Sequence, residues 1–221
     1  MLKIKQLKFS YGSGFSINLD ELSLSAGESL FLMGKSASGK TTFLSLVSAQ
    51  LRVDSGLLSF DGKELKKLSE SEARALRLED IALIQQGLDL IEYLDVLENI
   101  LLPVRLNPNS KVAEDFIDRA QGLLEKVGLE GYGKRKITEL SQGERQRIAI
   151  CRALILKPKL LLADEATASL DPENASLVMN LLLELSREEN SALIVVSHDH
   201  SFKDLFDSCF DFDSLEEGEY V

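Results

Sequence analysis

The feature that most constrains this chain is the segment 34–41, which reads Gly-Lys-Ser-Ala-Ser-Gly-Lys-Thr. It matches the pattern G-x-x-x-x-G-K-[S/T], in which small residues let the backbone curl so that successive N–H groups point at phosphate oxygens. The apolar stretch Ser29–Met33 before it predicts a buried strand, and the pattern from Lys40 to about Leu51 predicts a helix. A turn that joins a strand to a helix in this way predicts an α/β fold with a phosphate site at the helix N-terminus.

Each residue of this segment is a candidate contact for the phosphates of ATP. We expect Lys40 to reach the β- and γ-phosphates and the Thr41 hydroxyl to bind Mg²⁺. The backbone amides supply the remaining contacts. The candidate nucleotide-binding residues of this segment are Gly34, Lys35, Ser36, Ala37, Ser38, Gly39, Lys40, Thr41 and Thr42.

A phosphate-binding turn needs a carboxylate to hold the metal, and the apolar stretch Leu160–Ala163 leads directly into Asp164 and Glu165. Asp164, at the end of a predicted strand, suits Mg²⁺ coordination. Glu165 points elsewhere and is the candidate general base for the attacking water. The alternative is that the two acids cap the next helix.

A histidine follows the next predicted strand, Ala192–Ser197. Because strand ends on one edge of a parallel sheet converge on a ligand crevice, His198 is a candidate partner of the γ-phosphate and of the water held by Glu165. A structural role is the alternative for a lone histidine. His200 has no comparable support and is interpreted as a surface residue.

The rest of the chain divides into strand-like and helix-like segments. Leu2–Phe9 and Phe15–Leu24 alternate polar and apolar residues and predict antiparallel strands. The order strand, helix (Pro172 to about Glu188), strand near the acidic pair predicts parallel pairing with a crossover. Segment 87–155 is helical in pattern, so we expect one domain over 1–221 with an α/β core and a helical insertion. Further strands are predicted at Gly56–Phe60 and Ile81–Gln85.

The segment Leu140-Ser141-Gln142-Gly143-Glu144-Arg145-Gln146-Arg147 resembles the signature of ATP-binding subunits of ABC transporters. The phosphate-binding turn, the acidic pair and His198 stand in the order typical of that family, as do Gln86 and the segment Ser169–Asp171. The resemblance covers nearly the whole chain. It implies a P-loop NTPase core of the ABC type, with an antiparallel β subdomain and an inserted helical subdomain.

The resemblance also implies roles that spacing alone does not. Two such subunits pair head to tail in the ATP-bound state, and each ATP contacts the signature of the opposite subunit, here Ser141 and Gly143. Tyr11 matches an aromatic residue that stacks on adenine, although an ordinary tyrosine at a strand end is the alternative. Gln86 matches a residue that senses Mg²⁺ and water, with the adjacent Gln85 as the alternative. Asp171 matches the acid of a loop that crosses the dimer interface.

Three positions depart from the usual family pattern. Gln142 stands where glycine is usual, and a positive φ there would cost about 1 kcal/mol. Glu144 replaces a glutamine, and Ala166 replaces a proline. None of the three is one of the candidate catalytic or metal-binding residues, so we expect activity, at most slowed or made more dependent on a partner.

The stretch Leu90–Pro103 resembles the subfamily of lipoprotein-releasing, macrolide-export and cell-division ATPases. This implies a cytoplasmic subunit on the inner face of the bacterial membrane, bound to a separate integral-membrane permease. Internal packing of an amphipathic helix also explains much of the pattern, but we expect an exposed apolar patch nearby, where a permease docks. No apolar run approaches the ~18 residues that span a bilayer, so no direct membrane insertion is expected.

The net charge of −11 makes nucleic acid an unexpected partner. Two alternatives to a transport subunit remain. A soluble ABC ATPase that acts on DNA or ribosomes usually carries long coiled-coil insertions or a second cassette, for which this chain has no room. A regulatory subunit without hydrolysis conflicts with Glu165 and His198, although Gln142 leaves that interpretation open.

Overall fold

The structure is a computed structural model that describes residues 1–12, 15–35 and 38–214. Within these residues the chain forms two β-sheets surrounded by α-helices. The strands are β1 (Leu2–Ser10), β2 (Ser16–Leu24), β3 (Ser29–Met33), β4 (Ser55–Phe60), β5 (Lys63–Glu64), β6 (Ile81–Ile84), β7 (Leu160–Asp164), β8 (Ala192–Val196) and β9 (Ser208–Asp211). The helices are α1 (Lys40–Val47), α2 (Glu70–Glu79), α3 (Val96–Ile100), α4 (Leu102–Leu106), α5 (Glu114–Lys126), α6 (Gln142–Leu154) and α7 (Pro172–Glu188).

The first sheet has the strand order β2-β1-β4-β5 and is antiparallel throughout. Its alternation follows from the period of two along a strand: Leu2 and Ile4 of β1 are buried, while the lysines between and after them are exposed. The predicted antiparallel pairing of β1 with β2 is therefore confirmed.

The second sheet has the order β6-β7-β8-β3-β9, and every neighbouring pair is parallel. The predicted crossover is confirmed, because β7 pairs with β8 and α7 connects them. Strand β9 was not predicted from the sequence. It is only four residues long with polar residues at both ends, and its pairing with β3 comes from a distant part of the chain.

The parallel sheet is covered on both faces, which is why its strands are almost continuously apolar. Alternate residues of each strand face two different hydrophobic clusters. In β7, Leu161 and Ala163 join a cluster with the helices α3 to α7, whereas Leu160 and Leu162 join a cluster with α1 and the antiparallel sheet. The parallel sheet therefore contributes side chains to both hydrophobic clusters, one on each of its faces.

Helices α3 to α6 all lie inside 87–155, the segment predicted to be a helical insertion, and its boundaries as a subdomain stay a prediction. Within Leu90–Pro103, Val96 and Ile100 are fully buried, so internal packing explains that part of the pattern.

Helix α2 was not predicted, and it begins with a capping box between Ser69 and Glu72. In the described part of the chain, no helix is long and apolar enough to cross a bilayer.

The pairing of β1 with β4 depends on Gly56. Its φ is +83°, and a Cβ there would lie 2.0 Å from the Gln6 carbonyl oxygen and 2.8 Å from Leu7 Cα. We therefore expect Gly56→Ala to lower the free energy of unfolding by roughly 2–5 kcal/mol, the sum of left-handed backbone strain and overpacking against backbone. Urea denaturation followed by circular dichroism measures this change.

Gly62→Ala is the matched control for that prediction. Gly62 also has a positive φ, +77°, but a Cβ there meets no atom within 4 Å. This variant keeps the strain and removes the clash, so we expect a loss of only about 1 kcal/mol. Equal losses in the two variants would show that the contact with Gln6 contributes nothing.

Candidate functional site

The candidate site lies where four adjacent parallel strands end. The phosphate-binding turn follows β3, Asp164 ends β7, and His198 stands two residues after β8. Gln86 stands two residues after β6. The parallel order β6-β7-β8-β3 brings these carboxyl ends to one edge of the sheet, which is the usual position of a ligand crevice in open α/β folds.

Lys40, the first residue of α1, is buried in the phosphate-binding turn at 6% exposure. Its ammonium group donates to the carbonyl oxygens of Gly34 (2.7 Å) and Lys35 (2.6 Å) and to Ser38 Oγ (3.3 Å). Among the described residues its partners are all loop oxygens, and a buried cation held in this way is a ready partner for anionic phosphate. The predicted contacts Ser36 and Ala37 lie outside the described residues.

The start of the turn is supported from behind by residues near the end of the described chain. A Cβ at Gly34 would lie 3.0 Å from Phe212 Cβ, and the Lys35 N–H donates to both carboxylate oxygens of Asp213 at 3.0 and 3.2 Å. The sequence carried no signal for this support, because residues 178 positions apart meet only through the pairing of β9 with β3.

The side chains of Thr41 and Asp164, the two predicted metal ligands, are in direct contact. Thr41 Oγ1 donates to Asp164 Oδ2 at 2.8 Å. The other carboxylate oxygen, Asp164 Oδ1, is buried and has no hydrogen-bond partner among the described residues. An unpaired buried carboxylate oxygen is costly, and a hard cation relieves that cost. The donor set of a hydroxyl and a carboxylate therefore fits Mg²⁺.

Glu165 and His198 form a direct pair, with 2.8 Å between Glu165 Oε2 and His198 Nδ1. Glu165 has a φ of +50°, a left-handed conformation that is rare for a residue with a side chain, and its N–H donates to the Val196 carbonyl oxygen at 3.0 Å. Backbone strain of this kind is typical of functional sites. The pair argues against a purely capping role for Glu165.

His198 contacts Glu165 but lines a separate cleft. Lys40, Thr41, Asp164 and Glu165 share one cleft of about 300 Å³. Gln86 lines it, whereas Gln85 lines a different cleft, so the geometry favours Gln86 over its neighbour. His200 is exposed at the start of a 3₁₀ turn, in line with its interpretation as a surface residue. The residues that line the phosphate cleft are Phe15, Gly39, Lys40, Thr41, Thr42, Gln86, Asp164, Glu165 and Val196.

Phe15 is a residue of this cleft that the motifs did not identify. Its ring packs so closely on Gly39 that a Cβ at that glycine would lie 2.3 Å from Phe15 Cζ. The Tyr11 ring, which is 55% exposed, lies 6.1 Å from the Phe15 ring, between centroids. The only sequence signal was an aromatic residue just before β2. Tyr11 does not itself line the cleft.

Ser141, Gly143 and Asp171 do not line this cleft, and they lie together elsewhere, at the N-termini of α6 and α7. Ser141 caps α6 in a capping box with Glu144: its Oγ accepts the Glu144 N–H, and its own N–H donates to Glu144 Oε2. That hydrogen bond to the Ser141 backbone is the main cause that lowers the pKa of Glu144. Gln142 begins α6 without a positive φ. The backbone strain that a left-handed conformation at Gln142 would cause is therefore absent.

Known proteins resemble this chain along nearly its whole length. The family profile described as ABC transporter matches residues 17–168. The lipoprotein-releasing system ATP-binding protein LolD 1 of Rhodopirellula baltica is 37% identical, over 96% of this chain and 93% of that protein. The phosphonates import ATP-binding protein PhnC 1 of Ruegeria sp. is 39% identical, over 90% of this chain and 79% of that protein.

Solved structures agree with these relatives. One is a dimeric post-hydrolysis state of an ATP-binding cassette with ADP and Pi, which has a TM-score of 0.83 and 29% identity over 96% of this chain and 94% of that one. The likeness covers nearly the whole of this chain, and the predicted fold class is confirmed. By profile, relatives and fold, this chain belongs to the ABC transporter family and is an ATP-binding ABC ATPase cassette.

Proposed function

We propose that this chain binds ATP with Mg²⁺ and hydrolyses it to drive a transporter of the lipoprotein-releasing type. The observation that carries the proposal is the cleft in which Lys40, the Thr41–Asp164 pair and Glu165 meet, with His198 in contact with Glu165. Several curated LolD proteins, among them that of Hydrogenovibrio crunogenus at 39% identity, support the transporter type.

Lys40 and the amides of the turn bind the β- and γ-phosphates. The ammonium group exchanges the loop carbonyls for phosphate oxygens, which carry full charge and therefore bind it more strongly. Tyr11 and Phe15 contact the base and ribose, because the Phe15 ring packs on Gly39 in the cleft and the Tyr11 ring lies 6.1 Å from it, between centroids. Aromatic faces suit the flat apolar surface of adenine.

Thr41 and Asp164 would hold Mg²⁺, with Gln86 beside them in the cleft. When bound, the metal neutralises charge that develops on the phosphate oxygens. Glu165 accepts a proton from the attacking water or orients it for in-line attack. His198 is 65% exposed against 18% for Glu165. Its Nδ1–H donates to the Glu165 carboxylate, and the imidazolium form also has an Nε2–H that can donate to the γ-phosphate.

The second part of the nucleotide site comes from another copy of the chain. Ser141, Gly143 and Asp171 do not line the phosphate cleft of their own chain, so we assign them to a nucleotide held by a partner. The free amides at the start of α6 suit a γ-phosphate. The dimeric cassettes among the structural relatives support a homodimer in the ATP-bound state.

The permease docks beside Gln86, in a neighbouring cleft of about 400 Å³. Leu102, Pro103 and Leu106 give this cleft an apolar wall, and Leu106 is 57% exposed. Gln85 lines it while Gln86 lines the phosphate cleft, so one turn contacts both sites. The chain would then be peripheral, on the cytoplasmic face of a bacterial membrane.

Affinity purification from native membranes tests this proposal. The wild-type chain should retain a permease with few transmembrane helices and a large extracytoplasmic domain. Leu106→Glu should reduce the recovered permease about tenfold, because a carboxylate replaces a contact worth about 1.5–3 kcal/mol of apolar burial. Leu205→Glu is the matched control, since Leu205 is 43% exposed in a 3₁₀ turn that does not line the docking cleft.

Other outcomes would identify a different partner. Recovery of a many-helix importer permease would place the chain with the import type that the phosphonate and methionine relatives represent. Recovery of no membrane protein would favour a soluble ABC ATPase. Equal recovery with Leu106→Glu and wild type would move the docking site away from this cleft.

A further inference from the structure

The start of α7 lies against the start of α6, where Asn174 packs on Gly143. A Cβ at Gly143, in the first turn of α6, would lie 3.1 Å from Oδ1 and 3.4 Å from Cγ of Asn174. Gly143 is buried, and the side chain that covers it belongs to its own chain. A side chain at Gly143 would therefore crowd Asn174 within one subunit, before any partner binds.

The orientation of the Asn174 amide is determined by Asp171. Asn174 Nδ2 donates to Asp171 Oδ2 at 2.6 Å, and the Asn174 N–H donates to Asp171 Oδ1 at 3.0 Å. The side-chain bond is the main cause that lowers the pKa of Asp171, so this carboxylate is charged at neutral pH. With Nδ2 held in this way, Oδ1 faces the positive N-terminal end of α6, where a carbonyl oxygen is stabilised.

The first turn of α6 offers amides to a ligand because of helix geometry. Gln142 and Gly143 are its first two residues, and their N–H groups have no intrahelical acceptor. The Arg145 N–H, by contrast, donates to the Ser141 carbonyl oxygen at 3.0 Å. Any tilt of this turn relative to Asp171 would misplace the two free amides.

We propose that Asn174 is a positioning residue that holds the first turn of α6 and the Asp171 carboxylate in one fixed geometry, as the surface that a chain presents to the ATP of its partner. Asn174 itself touches no nucleotide. It acts through Gly143, on which it packs, and through Asp171, to which it donates. This inference rests on the ATP-dependent homodimer of the proposed function.

The test uses the full chain in a Glu165→Gln background. In this background ATP is not hydrolysed during the measurement, so hydrolysis does not dissociate the dimer. Dimerisation with MgATP is measured by sedimentation, and MgATP affinity is measured on dilute monomer. Asn174→Ala should weaken dimerisation about tenfold, the effect of one lost charge-assisted hydrogen bond. Its monomeric MgATP affinity should stay within about twofold, because Asn174 does not line the phosphate cleft.

Two further variants separate positioning from general stability. Asn174→Asp keeps the shape but places a second carboxylate against Asp171, so it should dimerise no better than Asn174→Ala. Asn180→Ala makes the same change at an exposed position two turns along α7 and should dimerise like the parent. Unfolding temperatures of all variants show whether each one folds.

The outcomes separate a failure of the proposed ATP-dependent homodimer from a failure of the role of Asn174. A Glu165→Gln parent that stays monomeric with MgATP contradicts the proposed dimer and this inference with it. A parent that dimerises while Asn174→Ala or Asn174→Asp dimerises equally well overturns the role of Asn174 alone. A weakened dimer accompanied by an equally weakened monomeric MgATP affinity also overturns it, because the defect would then lie in the chain's own cleft.

Discussion

Replacing Glu165 with glutamine should lower the rate of ATP hydrolysis by about 10²–10⁴-fold, the usual contribution of a general base. Glutamine has nearly the same shape and can still bond His198, but its amide does not accept a proton from water. ATP binding should persist, because Lys40 and Thr41 are unchanged. The variant should accumulate as an ATP-bound dimer, visible by size exclusion with MgATP, while phosphate release reports the turnover.

Glu184→Gln is the control for this experiment. It makes the same chemical change on the exposed face of α7, away from the phosphate cleft, and should hydrolyse ATP like the wild type. If Glu165→Gln kept wild-type turnover, another residue would have to serve as the base. If it stayed monomeric with MgATP, the head-to-tail dimer would lose its support.

Removing the ammonium group in Lys40→Ala should weaken ATP binding by about 10–100-fold, since a hydrogen bond to a charged group contributes about 1.5–3 kcal/mol. The affected atoms are phosphate oxygens, because Lys40 Nζ sits between the carbonyls of Gly34 and Lys35 at the centre of the turn. Titration calorimetry with MgATP measures the loss directly, and a thermal melt shows whether the variant is folded.

Lys111→Ala is the matched control, since this lysine is exposed in the segment between α4 and α5. The overall charge changes equally in the two variants, so any difference between them comes from the position of the lysine. ATP affinity that stays unchanged in Lys40→Ala would overturn the assignment of residues 34–41 as the phosphate-binding turn.

Much of the fold could be predicted from local patterns. Alternation in β1 and β2, the apolar run of β7 and the cap and proline at the start of α7 are local signals, and each element formed there. Strand β9 and helix α2 were missed for different reasons. Strand β9 forms by pairing with β3, which lies far away in the chain. Helix α2 begins with the capping box of Ser69 and Glu72, which is a local signal for a helix start.

The amino-acid sequence by itself determined which chemical groups the site contains. The phosphate-binding turn, Asp164, Glu165 and His198 all follow strands, and parallel order alone requires such positions to converge at one edge of a sheet. The order of elements along the chain therefore predicted that these groups lie close together, and the contacts Thr41–Asp164 and Glu165–His198 show that they do.

Only the tertiary structure decided how those groups are oriented and which distant residues support them. The left-handed backbone of Glu165, the unpaired Oδ1 of Asp164 and the packing of Phe15 on Gly39 all depend on contacts between remote segments. Asn174 was an unremarkable helix residue in the sequence until its amide was seen between Gly143 and Asp171. Side-chain direction follows from packing in three dimensions, and a one-dimensional pattern does not contain it.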